Sequence, residues 1–198
     1  MLVGSLCVRK MRLLALSALS LLACVSAAQE STPLVPPVGP GLHLTPDTGF
    51  VVTTDEVHSD LHIIRKQSHG ERAMRWAMAE VHAKALPAGQ KRPTWRGPVF
   101  KSAEAKGDRL VLHFETIANE PLKLTGTPAG FVVAGENQKF YEAQADLIGE
   151  TSVAVWSDKV PKPVAARFAW SSVPYLNLWT ESGLPASPFR TDDWPVRP

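Results

Sequence analysis

The sequence predicts an α+β, mostly β protein in which one strand–loop–helix unit precedes an antiparallel β-sandwich. Three observations predict it. Met74, Ala77, Met78, Val81 and Ala85 recur at helical spacing. From Val99 the period falls to two, with Leu110, Leu112 and Phe114 alternating with Val111, His113 and Glu115. Several short apolar runs then follow, separated by turn residues, as in an antiparallel sandwich or small barrel. The 17 prolines fall largely between and after the periodic segments, which weighs against a helical protein.

The chain has 198 residues, and 44% of them are hydrophobic, enough for a real core. Residues 1–28 read as a signal peptide. Arg9, Lys10 and Arg12 form its basic start, Leu13 to Cys24 its apolar centre, and Ser26-Ala27-Ala28 the small residues before a cleavage site. Met11 could equally be the start. The second choice is lipoprotein processing with a lipid anchor at Cys24, which the large Leu22 disfavours. Either way the expected location is secreted or periplasmic, with no membrane span.

Without residues 1–28, 18 basic side chains face 19 acidic ones, so the net charge of +2 is mostly the leader's. Nothing then points to nucleic acid. Cys7 and Cys24 both lie in the leader, so a mature chain from Gln29 has no disulfide.

Residues 29–43 carry four prolines and two glycines and read as an extended linker. Residues 44–90 read as a strand, a polar loop and a helix. Asp47-Thr48-Gly49 is a turn, Phe50 to Thr54 a strand, and Ser68 with Glu71 has capping-box spacing at the helix start. Pro87 and Gly89 end the helix. Such a unit cannot bury both faces of a parallel sheet, so 44–90 is expected to be the end of an incomplete α/β domain. Residues 91–198 form the β-sandwich. Its expected strands include Gly130 to Ala134, Phe140 to Leu147, Ser152 to Trp156 and Val164 to Trp170. The proline-rich stretch from Gly183 to Pro198 is expected to run extended over the surface.

The polar loop is the candidate site. Ligands of open α/β sheets bind outside the carboxyl ends of strands, and Asp55-Glu56-Val57-His58-Ser59-Asp60-Leu61-His62 occupies that place. A histidine beside a carboxylate that can fix its tautomer suits a general base. The plainer alternative is a surface loop whose histidine hydrogen-bonds locally.

Asp60-Leu61-His62, then Lys66-Gln67, then Gly70-Glu71-Arg72 resemble the closing segment of the sialate O-acetylesterase family. There a D-I-H-P-x-N-K-Q segment, followed by G-x-R, closes an SGNH-type hydrolase domain. The resemblance continues through Gly130-Phe131-Val132-Val133-Ala134-Gly135-Glu136 and Pro163 to Trp170. It ends with Glu181-Ser182-Gly183-Leu184-Pro185-Ala186-Ser187-Pro188-Phe189-Arg190-Thr191-Asp192-Asp193-Trp194-Pro195. It covers nearly everything after residue 43. The resemblance implies hydrolysis of O-acetyl esters on sialic acid or other sugars by a Ser–His mechanism. His62 matches the catalytic histidine, with Asp60 as the nearest acid and Asp55 as the alternative. Ile63 replaces the family's proline, Arg65 its asparagine, and Ser59 stands where SGNH enzymes more typically have aspartate.

The family's Gly-Gln-Ser-Asn nucleophile block has no match in this sequence, nor has a G-x-S-x-G elbow. Acyl transfer needs nucleophile, base and oxyanion donors on one carbon. The chain is therefore expected to be inactive alone, with an acetylated carbohydrate as substrate only if a partner chain supplies the missing hydrolase half. The alternative is a secreted, non-catalytic β-sandwich that binds glycan or a partner hydrolase, with Trp179 or Tyr175 exposed. A third reading is a gene remnant with no activity of its own.

No cofactor is implied. His58 and His62, with Asp60 between and His69 beyond, raise a metal site, but no H-E-x-x-H helix accompanies them and none is assigned. Trp156 and Trp170 are expected in the core, and Arg190 with Asp192 and Asp193 is read as an anchor of the tail on a neighbouring domain or as a solvated ion pair.

Overall fold

The computed structural model of the chain describes residues 49–56, 66–126, 129–171 and 174–195. Helix α1 (Lys66–Trp76) runs on into a π-helical turn (Ala77–Val81) and a 3₁₀ turn (Ala83–Ala85). At the π turn the His82 N–H reaches back five residues to the Ala77 carbonyl, at 2.8 Å. The helix ends before Pro87 and Gly89 as the breaker residues require, with Gly89 at φ 85°.

Three local expectations for this unit are corrected. The helix is already under way at Lys66, so Ser68 is a helical residue and not an N-cap. Glu71 instead accepts a hydrogen bond from the Gln67 side-chain amide one turn back, at 2.8 Å. Residues 50–54 form no strand: the chain is irregular and turns at Thr54 and Asp55. A strand needs a neighbour for its N–H and C=O groups, and here the Val52 carbonyl is taken by the Arg72 guanidinium. The expected apolar stripe is also not the buried face. Arg72 and Ala79 are buried, whereas Met74 is 55% and Val81 59% exposed.

After the helix the regular structure is β apart from a 3₁₀ turn (Ile117–Asn119), and the fold class is the predicted one. The strands are β1 (Val99–Lys106), β2 (Arg109–Glu115), β3 (Leu122–Leu124), β4 (Phe131–Ala134), β5 (Phe140–Glu142), β6 (Gln144–Leu147), β7 (Ser152–Trp156), β8 (Ala165–Phe168), β9 (Leu178–Thr180) and β10 (Phe189–Arg190). One sheet has the order β1-β2-β7-β6 and the other β10-β8-β4-β5, with β3 and β9 as a separate pair. All pairings are antiparallel. Gly107, at φ 66°, makes the tight β1–β2 turn.

The core lies between the two larger sheets. Leu110, Leu112 and Phe114 of β2 and Val153 and Val155 of β7 point inward from one side. Phe131 and Val133 of β4, Ala166 and Phe168 of β8 and Phe189 of β10 meet them from the other. Phenylalanine rings join the layers. Phe189 stacks on Phe100 at 4.6 Å and meets Phe114 edge-on at 5.6 Å, while Phe131 contacts Phe168 at 4.5 Å.

Two further corrections concern long-range placement. Phe140 to Leu147 is two strands in different sheets. The break falls at the buried Ala143, whose N–H bonds the Phe131 carbonyl at 3.0 Å. The stretch from Gly183 does not run over the surface. Leu184, Ala186 and Phe189 are buried, and the chain is tied in by Ser187 N–H to Pro98 O at 3.0 Å and Thr191 N–H to Ala166 O at 2.9 Å. Pro185, Pro188 and Pro195 sit where no strand needs a donor, so they do not prevent burial.

Candidate functional site

His62 and Asp60 lie in 57–65, outside the described residues. Asp55, the alternative acid, is described, in the turn that leads into that segment. The Glu56 N–H donates to the Thr53 carbonyl at 3.1 Å and so presents the Asp55 side chain toward α1.

Arg72, on the second turn of α1, meets it with a two-pronged fork. One guanidinium nitrogen donates to Asp55 Oδ1 at 2.6 Å and to the Val52 carbonyl at 2.7 Å, and the other to Asp55 Oδ2 at 2.5 Å. The two side chains are only 10% and 7% exposed. Parallel N–H···O bonds to both oxygens are the strong form of an arginine–carboxylate pair. Beneath them Gly49 lies flat under the Trp76 ring, where any Cβ would enter the indole. Residues 49–56 are thus strapped to α1 at both ends. Asp55 is committed to this strap, since both its oxygens accept from Arg72. The local sequence pattern does not announce Arg72; only the Gly-x-Arg motif of the resemblance marks it.

His69, on α1, has both ring nitrogens buried and makes no hydrogen bond among the described residues. No group of three or more histidine, cysteine, aspartate or glutamate side chains is placed to hold a metal ion among the described residues. No described helix is long and apolar enough to cross a membrane.

On the sandwich a second polar cluster joins three neighbouring strands. Ser152 Oγ lies 2.9 Å from His113 Nδ1, and His113 Nε2 lies 4.0 Å from Glu104 Oε2. The cross-strand register His113↔Ser152 brings the first two together. Glu104 is more than half exposed and also pairs with Lys106 at 3.1 Å, so the cluster is a solvated surface network.

The tryptophans expected in the core are only half-buried. Phenylalanines fill the centre, and the larger indoles lie at its margin, where their faces receive guanidinium groups. Arg109 sits 3.9 Å over Trp156, and Arg190 and Arg167 approach Trp170 at 5.6 and 5.9 Å. Trp179 is half-buried with its indole N–H unpaired among the described residues, and Tyr175 is 73% exposed.

Asp192 anchors the tail. Its side chain is 1% exposed and accepts from Arg167 at 2.8 and 2.7 Å and from Arg190 at 2.6 Å. Burial pushes its carboxyl up, but the hydrogen bonds and positive charge of Arg167, with those of Arg190, outweigh it and hold the carboxyl below its ordinary range. The anchor is therefore neither a solvated pair nor a contact with another domain. It ties the tail to β8 of the same sandwich.

No protein-family model matches the chain, and no curated protein does. Among solved structures it is similar to a carbohydrate acetylesterase from Xanthomonas citri, with 35% identity and a TM-score of 0.65. The likeness covers 73% of this chain and 32% of that one, so the chain spans about a third of the enzyme's length. The fold class, the motifs and this likeness agree in relating the chain to the carbohydrate acetylesterases.

Proposed function

We propose that the chain serves in the hydrolysis of O-acetyl esters on carbohydrates, with His62 as general base and Asp60 as the acid that orients it. The observation that carries this reading is the 35% identity to a carbohydrate acetylesterase over 73% of the chain. Asp60 is preferred over Asp55 because Arg72 occupies both Asp55 oxygens. In this reading a partner chain supplies the serine nucleophile and its oxyanion donors, for which these 198 residues carry no matching block. In this reading residues 1–28 are removed on export, the domains divide at 43 and 90, and the chain acts in the periplasm or outside the cell on an acetylated sugar such as sialic acid.

The test is acetate release from an O-acetylated sugar by the exported chain, alone and with a co-expressed partner, beside His62→Ala. The expected result is no release by the chain alone and His62-dependent release by the pair. Release that His62→Ala leaves unchanged would refute the assignment.

A second reading, glycan binding without chemistry, is favoured by one observation: the 73% exposure of the Tyr175 ring. Tyr175→Ala would then weaken retention on an immobilised glycan, and unchanged retention would remove that reading.

A further inference from the structure

We propose that the outward face of α1 and its π turn, formed by Met74, Met78 and Val81, is the docking surface for the partner chain, an acetylesterase-type hydrolase domain. The proposal rests on the reading above that a second chain completes the site. Met74 and Val81 are 55% and 59% exposed, more than any other large aliphatic side chain among the described residues; Leu147, Ile148 and Val164 reach 39%, 41% and 47%. Leu147 and Ile148 are adjacent at the end of β6 and Val164 stands alone, which is ordinary for a protein surface. Met74, Met78 and Val81 instead follow one another along a helix at spacings that keep them on one side. Glu71, Glu80 and Lys84 lie exposed beside them, giving an apolar strip with a charged margin, as in the centre and rim of an interface. Two of its three side chains are flexible methionines, Met74 exposed and Met78 half-buried, which suits a surface that adapts to a partner.

The occupant follows from the coverage figures. A likeness over 73% of 198 residues is about 145 residues, and only 100 residues lie from Val99 onward. About 45 matched residues therefore precede the sandwich. In the Xanthomonas citri enzyme their counterparts belong to a chain about two thirds of which has no equivalent here. That unmatched part is what such a helix face would pack against. Helices of α/β domains bury an apolar stripe on a sheet, and the stripe on this helix is uncovered among the described residues.

The experiment co-expresses the full chain with the part of the Xanthomonas citri acetylesterase that it does not match, carried on a separate tagged chain. A one-to-one complex is expected. Met74→Glu combined with Val81→Glu should lower its recovery at least tenfold, while the free variant keeps the wild-type circular dichroism because both positions are exposed. A complex that survives the double substitution overturns the surface, and so does a soluble partner recovered without the chain.

Hydrogen exchange on the full chain alone gives a reading that does not depend on the partner's folding. An uncovered face predicts α1 amides that exchange far faster than those of β2 and β7, and equal protection overturns the proposal. Acetate release separates this proposal from the catalytic one. A complex that releases none keeps the surface and refutes the catalysis. His62-dependent release by the chain alone keeps the catalysis and refutes the occupant.

Discussion

Arg72 holds Asp55 across 17 residues of sequence, with both carboxylate oxygens engaged at 2.6 and 2.5 Å and a third bond to the Val52 carbonyl. In sequence Asp60 and His62 lie in 57–65, between this strap and Lys66, which stands six residues before Arg72. A buried arginine–carboxylate pair that loses one partner leaves an uncompensated charge, at a cost of about 3–5 kcal/mol. Arg72→Ala should therefore remove what hydrogen-exchange protection α1 has, modest beside that of the sheets, and leave that of β2 and β7 unchanged. Arg72→Lys should recover only part of it, because an ammonium cannot reproduce the fork. Full protection in Arg72→Ala would show the strap to be dispensable.

The tail anchor predicts a pH dependence. The folded Asp192 carboxyl lies below its ordinary range, held there by Arg167 and Arg190 against the opposing effect of burial. A depressed carboxyl contributes stability that is present above the unfolded value, about 3.9, and is lost as pH falls through the folded one. Asp192→Asn should thus lower the unfolding free energy measured in urea at pH 7 by about 3–5 kcal/mol, as for a broken buried pair. The two proteins should converge as the pH drops below about 4. A gap that is as wide at pH 3 as at pH 7 would refute the ionic account.

Phe189 tests whether the C-terminal stretch is core. It is 2% exposed and touches Phe100, Phe114 and Phe168. Phe189→Ala should cost about 3–5 kcal/mol, the range for a buried phenylalanine truncated to a cavity. Chemical denaturation measures it. A cost below about 1 kcal/mol, the range of surface changes, would place the residue at the surface after all.

Gly97 tests the same stretch from the other side. A Cβ there would fall on the carbonyl of Pro185, a backbone atom that cannot swing away. Gly97→Ala should destabilise by about 1–3 kcal/mol as overpacking does. It should also raise exchange at Ala186 and Ser187. An unchanged thermal midpoint would mean that the two segments do not approach so closely.

The candidate site was legible in the sequence at the level of motif. Asp60-Leu61-His62 and Gly70-Glu71-Arg72 carry the resemblance by residue type and spacing alone. The partner of Asp55 was not legible, because nothing in the order of residues says which arginine will stand within 3 Å of it. The strand expected at 50–54 shows the same boundary. Phe50-Val51-Val52-Thr53-Thr54 has the composition of a strand, but pairing requires a neighbour, and the described residues provide none there.

By itself the sequence determined the features set by local chemistry. These are the helix with its breakers at Pro87 and Gly89, the Gly107 turn, and the alternation that turns Leu110, Leu112 and Phe114 to one side of β2. Tertiary structure decided which sheet each strand joined, splitting 140–147 at Ala143, and it drew the proline-rich tail into the core around Phe189. It also left Met74 and Val81 outward, although they have the spacing of a buried stripe. The reason is physical: periodicity states which residues share a face, whereas burial depends on what stands opposite that face.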